Sequence, residues 1–66
     1  MAEERGRQVL YEIVEAEMAA AVTARREIWR LEEAETDETV REFLAVAALA
    51  LTEEVDRLRH ELRRVA

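Results

Sequence analysis

Apolar residues recur along this chain in two separate runs, each with alternating steps of three and four. The first run is Leu10, Val14, Glu17, Ala21, Ala24, Ile28 and Leu31, with one acid among the apolar positions. The second is Val40, Leu44, Ala47, Leu51, Glu54, Leu58 and then Leu62 or Val65. Such steps keep residues on one side of an α-helix, so the pattern predicts two amphipathic helices and no strand. Continued past Leu31, the first run would turn Glu35, Glu38, Glu42, Ala45, Leu49 and Thr52 inward. The apolar series instead restarts at Val40, out of step by two residues. A polar break with a change of phase predicts a turn rather than one long helix. The expected organisation is a single all-α domain over 1–66, with a helix over about 7–32, a turn over about 33–37 and a helix over about 38–65. Thr36 is the expected cap of the second helix, with Asp37 and Glu38 in its first turn, and Thr39 with Glu42 forms an alternative capping box. Gly6 and the polar residues around it predict a frayed start, with Glu3 and Glu4 at the positive end of the dipole.

Helices that advance in step in opposite directions bring together residues whose numbers have a constant sum, about 71 for a turn near Thr36. Leu31 then meets Val40, Ala24 meets Ala47, and Glu17 meets Glu54. A two-helix hairpin buries apolar surface along one seam only, and small scaffolds of this kind need a staple or a partner. This chain has more apolar surface than one seam covers. Phe43–Leu51 is apolar on every face of the second helix, and Met18–Val22 repeats the theme nearly level with it. A helix apolar all round is buried all round, and nine residues are far short of the roughly twenty that span a bilayer. The expected fold is therefore a helical hairpin that self-associates, as a homodimer or a larger homo-oligomer, into an antiparallel four-helix bundle of coiled-coil type. Its interface would draw on Leu10, Val14, Ala21, Ala24, Ile28, Leu31, Val40, Leu44, Ala47, Leu51 and Leu58, with Val46 and Leu49 left for further subunits or a protein partner. Tyr11, Met18, Val22, Arg25 and Trp29 form a flanking stripe, read as the second contact a helix makes inside a bundle.

Composition narrows the function classes. The 66 residues contain no Pro, no Cys, one Gly and many Ala, Leu, Glu and Arg, which suits helices and excludes disulfides and thiolate metal sites. Sixteen acids face ten basic residues, a net charge of −6 that argues against binding nucleic acid or an anionic membrane. All ten basic residues are Arg. A GC-rich coding bias or a designer's choice would each produce a chain without Lys. The first residues include no apolar segment of signal-peptide type, so the expected location is cytoplasmic. With no Ser, no Gly-rich phosphate loop and a single His far from any nucleophile, hydrolase triads and nucleotide loops are not present.

The candidate chemistry sits at Glu17 and Glu54. Two carboxylates at one level repel, and a shared proton, an arginine such as Arg57 or Arg25, or a metal would neutralise them. A symmetric dimer would hold four carboxylates there, a donor set suited to iron, manganese, calcium or magnesium. Asp37-Glu38-Thr39-Val40-Arg41-Glu42-Phe43-Leu44-Ala45 resembles the start of the metal-bearing second helix of ferritin-like carboxylate proteins, especially short dimerising hairpins such as encapsulated ferritins and designed di-iron bundles. Leu10–Glu17 is similar to their first helix with its single inward Glu. The resemblance implies a four-helix bundle and, as ligands, Glu17 and Glu54. It departs from the family at the Glu-x-x-His motif, where Leu51 takes the place of the Glu and Glu54 that of the His. His60 lies off the inward face, near Asp56 and Glu53, and reads as a solvated side chain, with metal or haem ligation as the alternative. The expected function is that of a structural or protein-interaction module rather than an enzyme, with no cofactor. A carboxylate-rich site for iron, manganese or a small ligand in the bundle core is the alternative.

Overall fold

In the computed structural model, which describes residues 2–66, the chain forms two helices. Helix α1 spans Ala2–Ala34 and helix α2 spans Glu38–Val65. They run antiparallel. Arg25 on α1 hydrogen-bonds Thr52 on α2, and one hollow at the open end is lined by both Tyr11 and Val65. No strand occurs among the described residues, so the hairpin part of the expected fold is correct. Met1, included in the expected domain, lies outside the described residues.

Helix α1 starts earlier than about residue 7, because nothing in its first turn breaks it. Gly6 costs a helix about 1 kcal/mol relative to Ala, but it is the only weak former among Glu, Arg and Gln. Glu3 and Glu4 also meet the positive end of the helix dipole.

The connection is three residues, Glu35–Asp37, and every residue in it has negative φ. That is why neither Gly nor Pro is needed. Its backbone donors are met by side chains. Glu35 Oε1 accepts from the backbone N–H groups of Thr36 and Asp37 at 3.0 and 2.9 Å. The N-cap of α2 is Asp37 rather than Thr36: its Oδ1 accepts from the backbone N–H of Thr39 at 2.9 Å and of Val40 at 3.2 Å. A charged carboxylate one residue nearer the helix start satisfies two orphan donors and meets the positive dipole end as well.

The seam between the helices differs from the expected one by a rotation. On α1 the seam runs Tyr11, Val14, Met18, Ala21, Arg25, Ile28 and Glu32, with Val22 half-buried beside it; on α2 it runs Leu44, Ala48, Leu51, Val55, Leu58, Leu62 and Val65, with Ala47, Thr52, Glu54 and Glu61 half-buried at its edges. Val14, Ala21, Ile28, Leu44, Leu51 and Leu58 lie in this seam as expected. The alternate positions move on by one residue, with Met18 in place of Glu17, Arg25 in place of Ala24, Ala48 in place of Ala47 and Val55 in place of Glu54. The physical reason is desolvation. Burying Met18 and Val55 leaves Glu17 exposed and Glu54 only half-buried, where the other choice would desolvate both carboxylates. Val55 is the most completely buried side chain, 1% exposed.

The rotated seam leaves apolar surface outside. Leu10, Ala24, Leu31 and Val40, expected inward, are exposed in the hairpin. Among the described residues, only Ala21, Ala48, Val55 and Leu58 are buried. The molecule is a rod 55 Å long with a radius of gyration of 15.6 Å, where a globular chain of this length has about 11 Å. Its accessible surface is 5312 Å², roughly 1,000 Å² more than the 4,300 Å² typical of a 7.7 kDa monomer.

Candidate functional site

The uncovered apolar residues fall into register. On α1 they include Leu10, Ala24 and Leu31, which with Glu17 recur every seventh residue; on α2 the exposed Val40 is followed at the same interval by the half-buried Ala47, Glu54 and Glu61. Apart from Val40, these positions sit one residue before a seam position, as Leu10 precedes Tyr11 and Ala47 precedes Ala48. In an antiparallel pair, an offset in the same sequence direction on both helices reaches the same side of the pair, because the helices turn in opposite senses when seen from one end. The two rows therefore flank one face. Ile13 and Ala20 widen it on α1, and Phe43 and Ala50 on α2. Around α2 the apolar surface continues to Val46 and Leu49 on the outside, where Phe43, Val46 and Leu49 are 72%, 66% and 59% exposed.

At mid-length this face is crossed by a charged layer. Glu17 stands near the middle of α1 and is exposed; Glu54 stands near the middle of α2 and is half-buried. Arg57, one turn beyond Glu54, meets it with a forked pair of hydrogen bonds: Nε donates to Oε2 at 3.2 Å, and Nη2 donates to Oε1. That fork holds the Glu54 carboxyl below the ordinary carboxylate range. Arg57 is pushed above its ordinary value mainly by Glu54, with a smaller contribution from the charge of Glu17. Arg57 thus pairs with Glu54 on its own helix, while the charge of Glu17 on the other helix acts on it only at a distance. The layer keeps a net charge of −1 and is bordered toward the turn by Ala20, Ala24, Ala47 and Ala50.

Among the described residues, no group of three or more His, Cys, Asp or Glu side chains is arranged to hold a metal ion. Three surface hollows of about 330, 290 and 220 Å³ lie at the open end, beside Trp29 and along the start of α2. Neither Glu17 nor Glu54 lines any of them. His60 is exposed, and Asp56, one turn before it, pairs with Arg59 at 3.7 Å. No described helix is long and apolar enough to cross a membrane.

The other polar feature lies in the seam itself. Arg25, expected on the flank, occupies a seam position with its Nη1 donating to Thr52 Oγ1 at 3.3 Å and its guanidinium 4.7 Å from the centre of the Trp29 ring. Thr52 in turn donates to the Ala48 carbonyl at 3.0 Å. The buried Arg25 Nε has no hydrogen-bond partner. The aliphatic stem of Arg25 fills the seam while cation–π contact supports its head. Its place could have been read from Val14, Ala21 and Ile28, which fit a second column through Met18 and Arg25 as well as the one through Glu17 and Ala24. No protein-family model matches this chain, and no curated protein or solved structure is similar to it.

Proposed function

We propose that this chain is a self-associating helical hairpin, a structural or interaction module whose working form is a homodimeric antiparallel four-helix bundle. The observation that carries the reading is the second apolar face. Each helix has three columns of apolar positions, and the hairpin uses two of them. The third column presents Leu10, Ala24, Leu31 and Val40, with the half-buried Ala47, on one side of the rod. A standard interface takes about 800 Å² from each partner, and the surplus surface of this hairpin is of that size. Four buried residues are a small core for a 66-residue chain, and a partner that binds only the folded hairpin supplies the missing stability by mass action.

Thermal unfolding followed by circular dichroism tests this. The midpoint should rise by several degrees between about 1 and 100 μM chain, since unfolding is then coupled to dissociation. A midpoint independent of concentration would overturn it. The same melts address the rival, an iron or manganese ion shared by the Glu17 and Glu54 layers of two copies. That ion would raise the midpoint of the wild type and leave Glu17→Leu with Glu54→Leu unmoved.

A further inference from the structure

Formal charge is unevenly distributed along the rod. The turn end, residues 27–42, carries seven acids and two arginines, a net −5. The open end, residues 2–12 with 59–66, carries five arginines and four acids, a net +1. The remainder carries −2, all of it from residues 43–58. The hairpin is an electrically polar rod, negative at the turn and positive at the termini. Its helix dipoles add nothing to this, because antiparallel helices cancel.

Two such rods can lay their apolar faces together in two ways about a two-fold axis. With turns at the same end, the two −5 ends abut, the two +1 ends abut, and α1 of one copy lies on α2 of the other. With turns at opposite ends, each acidic end lies beside a basic end, and like helices meet, α1 on α1 and α2 on α2. Every neighbouring helix is antiparallel in both, so the dipoles do not choose between them. Charge does.

We infer that two copies of this chain pair through the face bearing Leu10, Ala24, Leu31, Val40 and Ala47 with their turns at opposite ends. The inference rests on the self-association proposed above, and it adds the partner's orientation. The chain has no cysteine, so Thr36→Cys at the exposed turn takes one nitroxide per copy. Pulsed dipolar spectroscopy reads the distance between the two labels. Turns apart put them close to the length of the rod, 55 Å; turns together put them within about 20 Å, two helix diameters. A distribution centred near 50 Å, on the scale of the rod, is the expected result. A short distance would overturn the orientation while leaving the dimer intact. A labelled protein with no dipolar coupling, still helical by circular dichroism, would overturn self-association itself.

Discussion

Leu10→Gln combined with Leu31→Gln separates the hairpin's own core from the face proposed for a second copy. Both leucines are outside the seam, 46% and 47% exposed. Fully burying a leucine contributes about 1.5–3 kcal/mol. With about half of each side chain already covered, roughly 1 kcal/mol per leucine remains to be gained from a partner. Two leucines on each of two copies make that about 4 kcal/mol, close to a thousandfold in Kd. Gln forms helices nearly as well as Leu, so the hairpin's backbone has no reason to change. Sedimentation velocity over a dilution series measures the Kd, and circular dichroism on the same samples measures helicity. The expected result is a far weaker association with unchanged helicity at concentrations where the wild type is dimeric. A Kd within threefold of wild type would refute the placement of these leucines in an interface.

Three further outcomes follow from particular contacts. Asp37→Ala removes the acceptor for the Thr39 and Val40 donors and should cost about 1 kcal/mol in denaturant unfolding, whereas Thr36→Ala should cost little. Arg25→Leu replaces a seam guanidinium with a buried, unpartnered Nε by a side chain that fits the column. It should raise stability by about 1 kcal/mol in the same assay, and a loss of that size would mean that the Thr52 and Trp29 contacts outweigh the burial. The third concerns pH. Glu54 has its pKa lowered by Arg57 in the folded state, so its contribution is present above the ordinary carboxylate pKa and is lost as pH falls through the lowered one. The thermal midpoint of the wild type should therefore drop on acidification through and below the carboxylate range, and Glu54→Gln should flatten that limb.

How far the fold could be read from the residues depends on which column is asked about. Val14, Ala21, Ile28, Leu44, Leu51 and Leu58 belong to the middle column of each helix, which faces inward whichever neighbouring column joins it. They were legible for that reason. The choice between Glu17 and Met18, or Glu54 and Val55, was not, because a stripe three columns wide fits two seams one residue apart. Counting apolar positions cannot rank them; desolvation of the two carboxylates does. The turn was legible from the phase change between Leu31 and Val40, but its chemistry was read one residue early, at Thr36 rather than Asp37. The charged layer was half legible. Glu17, Glu54 and Arg57 could be named as neighbours from spacing, whereas the fork of Arg57 on Glu54 depends on side-chain geometry that spacing does not carry.

The most direct measurement is sedimentation equilibrium of the wild-type chain at micromolar concentration and moderate salt. A homodimer gives a mass twice the 7.7 kDa of the chain, falling toward the single-chain value on dilution together with the loss of helicity. A helical, cooperatively folded species that holds the single-chain mass at every concentration would contradict the two-sided reading of these helices, because the face with Leu10, Leu31 and Val40 would then need no partner.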